Sequence, residues 1–163
     1  MKLTTFSSTR VFSVLFAALL PATVGLAQQQ FHPRHIYNEN ADAKAEIREA
    51  LSTAAQEHKR VILDFGGNWC GDCQVLDIYF RQPPNATLLA ASFILVDIDI
   101  GHYDHNVDLA DQYQVPLKRG VPALAVLDSD GRLLYSQKTG EFEDMRHMDP
   151  SSVTSFLDQW KMK

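Results

Sequence analysis

An apolar run, Val61-Ile62-Leu63-Asp64-Phe65, leads through a two-glycine turn into Trp69-Cys70-Gly71-Asp72-Cys73, which holds both cysteines of the 163-residue chain. A run this short and this apolar suits a buried strand rather than a helix. Behind it, Cys73, Leu76, Tyr79 and Phe80 fall on one face at helical spacing, and Pro83-Pro84 stops the pattern. Cys70 therefore sits where a strand hands over to a helix, and the positive end of that helix favours its thiolate. Two thiols two residues apart can close a small ring. A ring enclosing only Gly71 and Asp72 adds little stability, because loop-closure stabilisation grows with loop length. The pair reads as redox-active rather than as a structural staple.

The first 27 residues read as a targeting segment. Lys2 and Arg10 make a positive start, residues 11–20 are almost wholly apolar, and Gly25-Leu26-Ala27 supplies small residues before Gln28. That is the pattern of a secretory signal peptide cleaved after Ala27. Pro21, Ser13, Thr23 and three glutamines interrupt the apolar stretch too often for a good membrane span. Cleavage would leave 136 residues with 13 basic and 20 acidic side chains, a net charge of −7. That length supports one domain with its own core. An acidic chain without a basic run argues against nucleic-acid or anionic-membrane partners. Export would put the cysteines where disulfides persist.

Residues 28–38 are polar, aperiodic and contain Pro33, and they read as a flexible leader ahead of a domain over residues 39–163. Asn40 or Asp42 is placed to cap a helix through about His58, with Ile47, Leu51, Ala54 and Ala55 inward. Strands are expected at residues 61–65, 93–98 and 123–127, the last pairing through Ser129-Asp130-Gly131 with residues 132–137. Helices are expected from Cys70, over residues 107–113, and after Asp149-Pro150, where an N-cap precedes a proline suited to the first turn. Strands alternating with helices and then a hairpin imply a three-layer α/β/α sandwich around a mixed central sheet.

In this order, the motifs resemble the thioredoxin superfamily from about Val61 to Trp160. Leu63-Asp64-Phe65 followed by the Trp-Cys-Gly-Asp-Cys segment resembles its active-site strand and loop. Gly120-Val121-Pro122 resembles its cis-proline loop, and Asp128-Ser129-Asp130-Gly131 with Gly140 resembles its following hairpin. The resemblance implies a thioredoxin-like fold and a thiol–disulfide oxidoreductase. Cys70 attacks, Cys73 resolves the mixed disulfide, and Asp64 is the buried carboxyl that takes the Cys73 proton. Burial raises a carboxyl pKa and suits it to that work. Trp69, Val121 and Pro122 would dock an extended client, and Gly71 and Asp72 would tune the dithiol. No bound cofactor is implied, since the Cys70–Cys73 disulfide itself carries two electrons. Partners would be protein thiol or disulfide clients and a membrane thiol-electron donor, with the periplasm as the location.

Three departures bear on the expectation. Gly66-Gly67 replaces a bulkier pair and suggests a wider or more flexible groove. Leu95 stands where many thioredoxins place a lysine beside the buried aspartate. Asp72 stands where many have proline, and a negative charge there disfavours the Cys70 thiolate and makes the disulfide a weaker oxidant. This favours a reductase over an oxidase or isomerase of the same fold. A second alternative is a copper-binding metallochaperone using Cys70, Cys73 and the His102/His105 loop. The stretch over residues 102–119 reads either as a partner-specific insertion or as a longer helix and loop.

Overall fold

A computed structural model describes residues 33–162. The signal peptide reading, and residues 28–32 of the leader, lie outside the described residues. The elements run α1 (Ala43–Glu57), β1 (Arg60–Gly66), α2 (Gly71–Arg81), α3 (Asn85–Ser92), β2 (Phe93–Asp99), α4 (Val107–Gln112), β3 (Ala123–Leu127), β4 (Leu133–Ser136) and α5 (Ser151–Trp160). Single 3₁₀ turns at Leu117–Arg119 and Met145–His147 complete the list. Among the described residues, no helix is long and apolar enough to cross a membrane.

The sheet has the order β2-β1-β3-β4, with β1 parallel to β2 and the other two pairings antiparallel. Alternation along β1 divides the core. Val61, Leu63 and Phe65 face α1 and α4, whereas Ile62 packs with Leu76 and Phe80 of α2 and with Val153, Phe156 and Leu157 of α5. This is the three-layer α/β/α sandwich with a mixed sheet that the sequence implies. Asp42 caps α1 by accepting a hydrogen bond from the Ala45 amide at 3.0 Å. Asp149 accepts one from the Ser151 amide at 2.8 Å as α5 begins.

One helix is not foreseen. Helix α3 follows the Pro83-Pro84 stop, has no capping side chain, and its Asn-Ala-Thr-Leu-Leu-Ala-Ala-Ser sequence lacks a clear apolar stripe. Packing on β2 and α5 holds it rather than any local signal. The stretch over residues 102–119 is a turn, the short α4 and a 3₁₀ turn, with Leu109, Ala110 and Leu117 buried.

The larger correction concerns residues 33–38, which are fastened to the domain rather than mobile. Gln74 exchanges two hydrogen bonds with the Arg34 backbone, each 2.8 Å. The side chain of Asn68 imitates a strand edge: Oδ1 accepts from the amides of Ile36 (2.8 Å) and Tyr37 (3.0 Å), and Nδ2 donates to the Tyr37 carbonyl (2.8 Å). Tyr37 is fully buried. A polar segment with no periodicity gives no hint of this, because its partners are two side chains more than thirty residues away.

Replacing Asn68 with Ala leaves three backbone groups of the strap without their partner. Each such loss costs on the order of 1–3 kcal/mol if the group stays buried. The expected outcome is destabilisation in urea together with new protease sensitivity within residues 33–38. A variant as stable and as protease-resistant as the parent would contradict this account of the strap.

Candidate active site

Register brings the site together. Gly66 pairs with Asp99 and Phe65 pairs with Ala123, so three loops leave the same end of the sheet. They are the one carrying the cysteines after β1, the one over residues 100–106 after β2, and the one carrying Val121-Pro122 before β3. Cys70 and Cys73 are disulfide-bonded, with Cα atoms 5.3 Å apart. Cys70 is the N-cap of α2 and its Sγ accepts from the Cys73 amide at 3.1 Å, which aims the helix's positive end at this sulfur. The Val121 carbonyl oxygen lies 3.4 Å from Cys70 Sγ, and the Val121–Pro122 peptide bond is cis. Buried Gln137 fixes that loop from behind, accepting from the Leu124 amide and donating to the Pro122 carbonyl, each at 3.1 Å.

Trp69 is 47% exposed, so it is not a core residue. Its indole N–H donates to the Gly101 carbonyl at 2.7 Å, His102 stacks on it at 5.6 Å, and Tyr103 leans against it at 5.7 Å. An aromatic platform thus stands beside the dithiol. The histidine of that platform comes from the loop over residues 100–106. Among the described residues no group of three or more His, Cys, Asp or Glu side chains is arranged to hold a metal ion.

Gly66, the last residue of β1, and Gly67 after it do not open a wider groove; both spaces are filled. A Cβ on Gly66 would overlap the Tyr37 hydroxyl and lie 2.9 Å from Cys73 Sγ. A Cβ on Gly67 would lie 2.6 Å from the Trp69 indole nitrogen. The bulk missing from positions 66 and 67 is supplied by the strap and by the tryptophan folding back.

Asp72 also differs from the expectation. It is only 8% exposed, and Arg146 engages it through its backbone N–H (3.0 Å), Nε (3.1 Å) and one terminal guanidinium nitrogen (3.0 Å). The same guanidinium lies 3.9 Å from where a Gly71 Cβ would be. The negative charge in the motif is therefore matched by a positive one at the same place, and its effect on the Cys70 thiolate is largely cancelled. Nothing in the sequence could pair residues 72 and 146.

Asp64 sits in the central strand, 3% exposed. Its Oδ2 accepts a hydrogen bond from the Tyr37 hydroxyl at 3.2 Å, and its Oδ1 has no hydrogen-bond partner among the described residues. Burial, and then the neighbouring Asp97, push its carboxyl well above the ordinary range, against the opposing pull of the Tyr37 hydrogen bond. Asp97 is the register partner of Asp64 on β2 and is itself pushed up to about 7, by burial first and by Asp77 second. Asp77, 8% exposed, takes Arg81 at 2.8 Å and Arg34 at 3.6 Å. Asp77 and Asp97 were legible in principle: one lies four residues after Cys73 on the same helical face, the other interrupts the apolar run over residues 93–98. Tyr37, Gln137 and Arg146 carried no signal.

Comparison with known proteins agrees with this geometry. Residues 42–129 match the family model described as thioredoxin-like. A structure described as a disulphide isomerase from Xylella fastidiosa is 37% identical, covers 77% of this chain and 96% of its own, and superposes with a TM-score of 0.74. The thiol:disulfide interchange protein DsbD of Pseudomonas fluorescens is 29% identical over 119 residues, which is 71% of this chain but only 18% of that protein. A thioredoxin of Mycoplasmoides gallisepticum is 29% identical over 100 residues, 61% of this chain and 81% of its own. With a helix-capping disulfide, a buried strand aspartate and this match, the chain belongs to the thioredoxin-like family and is a thiol–disulfide oxidoreductase.

Proposed function

We propose that this protein reduces or exchanges disulfides of exported protein clients, with Cys70 attacking, Cys73 resolving and Asp64 handling the proton. The observation that carries the role assignment is the asymmetry of the two sulfurs. Cys70, 5% exposed, caps α2 beside the Val121 carbonyl at the end of the sheet, whereas Cys73, 1% exposed, lies inside the first turn against Gly66. A client sulfur can approach the first, and only the first can approach the second. The Trp69–His102–Tyr103 platform and the Val121-Pro122 edge supply an apolar and a backbone surface on which an extended client could lie. The disulfide itself is the electron store, so no bound cofactor enters the scheme.

The reducing direction no longer rests on Asp72, because Arg146 balances it. It rests on the three carboxyls behind the dithiol, Asp64, Asp77 and Asp97, two of which burial and mutual repulsion hold above the ordinary range. Surroundings that hold a carboxyl protonated also disfavour a thiolate, and a dithiol that gains little from ionising passes its electrons on more readily. Export and a membrane electron donor follow the N-terminal pattern and the DsbD resemblance. A disulfide isomerase is the second reading, favoured by the description of the Xylella fastidiosa structure.

Cys70→Ser is expected to abolish exchange, whereas Cys73→Ser should accumulate client proteins as mixed disulfides on Cys70, visible as reductant-sensitive adducts. Full dithiol exchange by Cys73→Ser would overturn the assignment of roles.

The acid cluster also fixes a pH dependence. Asp97 titrates near 7 when folded and near 3.8 when free, so between those values the folded state holds a proton that the unfolded chain has lost. Its contribution to stability is greatest below about pH 4 and is lost as pH rises through 7. Asp97→Asn should therefore flatten the curve. It should be more stable than the parent above pH 7 by on the order of 1–3 kcal/mol, and no more stable near pH 4. Urea unfolding of the oxidised proteins at both pH values measures it; parallel curves would contradict the burial of that charge.

A further inference from the structure

Tyr37 is a buried, titratable side chain that the thiol–disulfide mechanism does not use, contributed by a segment outside the secondary structure of the sandwich. Its hydroxyl donates to Asp64 Oδ2 at 3.2 Å, and that hydroxyl and Cys73 Sγ press on the same side of Gly66, where a single Cβ would meet both. The strap's position is over-determined. Asn68 holds the Tyr37 backbone at both its N–H and C=O, Gln74 holds Arg34, and Arg34 faces Asp77. A phenol both donates and accepts. Here its donor is engaged by Asp64, and the hydroxyl oxygen and Cys73 Sγ both lie within 3 Å of one point, the place a Gly66 Cβ would take.

We infer that Tyr37 is the proton link of the active site, relaying the proton of Cys73 to Asp64 during resolution of the mixed disulfide. This rests on the exchange chemistry proposed above. The Cys73 proton passes to Tyr37 Oη while the phenolic proton passes to Asp64 Oδ2, so the tyrosine ends neutral and the carboxyl protonated. The Cys73 thiolate pair forms the bond to Cys70 Sγ, the Cys70–client bond breaks, and the client sulfur leaves with that bond's electrons. The client disulfide is the oxidant, and both protein thiols end oxidised.

The charged groups around the pair set its pH response. Asp97 faces it from β2 and Asp77 from α2, while Arg34 of the strap, Arg81 and Glu46 act on Asp97. Burial, then Asp64 and Asp97, push the Tyr37 phenol well above its ordinary value, so it conducts a proton without storing a charge. Every acid in this set tightens the hold on that proton, and the two arginines oppose them.

The test separates the two sulfur steps with Ellman's reagent. Attack by Cys70 on the reagent releases one coloured thiolate, and attack by Cys73 on the resulting mixed disulfide releases a second. Tyr37→Phe should leave the first phase unchanged and slow the second at least tenfold, altering the pH profile of that phase alone. Tyr37→Phe combined with Asp64→Asn should be no slower than Asp64→Asn by itself, as expected for two members of one path. An unchanged second phase, equal slowing of both phases, or multiplying effects in the double variant would each overturn the link. If Tyr37→Phe does not fold, 3-fluorotyrosine at position 37 keeps the ring and makes the phenol more acidic. It should displace the pH profile of the second phase only, and no displacement rejects the proposal. The parent is the control for the underlying reading: absence of a second phase there rejects dithiol exchange itself, whereas a normal second phase in every variant rejects only the relay.

Discussion

A carboxyl in the central strand of a sandwich is unfavourable unless it is neutral or hydrogen-bonded, and the unmet cost of one polar group is on the order of 1–3 kcal/mol. Asp64 occupies that position with a single hydrogen-bond partner among the described residues, the Tyr37 hydroxyl. Much of the local architecture follows from satisfying it. The tyrosine must be brought over the end of β1, which requires the strap. The strap requires Asn68 and Gln74 to hold its backbone. The ring requires position 66 to have no side chain. One buried acid thus accounts for the glycine turn, the docked N-terminal segment and the choice of residues on either side of the cysteines.

The electrostatics of the dithiol come from opposing contributions arranged in two layers. At the surface, the positive end of α2 acts on Cys70, and Asp72 is balanced by Arg146. A second group of acids, Asp64, Asp97 and Asp77, lies around Tyr37, with Arg34 and Arg81 pairing directly with Asp77. A charge within a few ångströms matters most where solvent is excluded. Asp64, 3% exposed and without a cation on it, therefore weighs more than Asp72, which is 8% exposed and paired with Arg146.

Much of this was legible in the sequence, for identifiable reasons. The strand–turn–helix at residues 61–81, the hairpin at Ser129-Asp130-Gly131 and the Asp149-Pro150 start of α5 are local signals, and each produces its element. The cysteines and Asp64 share one stretch of chain, so their proximity follows from the strand and helix alone. What could not be read was long-range: Tyr37 to Asp64 spans 27 residues, Gln74 to Arg34 spans 40, and Arg146 to Asp72 spans 74. Reading Asp72 as an unopposed charge and Gly66-Gly67 as open space failed for the same reason. Arg146 and Tyr37 come from distant segments with no pattern of their own, and only the Trp69 ring that fills the space at Gly67 is local.

The most direct test of the whole account is the reduction potential of the Cys70–Cys73 pair, obtained by equilibrating the protein with glutathione and counting free thiols. A dithiol governed by the acids beneath it should poise near the thioredoxin value of roughly −270 mV. A value near roughly −120 mV would mean that the helix end and Arg146 dominate, that the protein donates disulfides, and that the buried acids do not set the direction of electron flow.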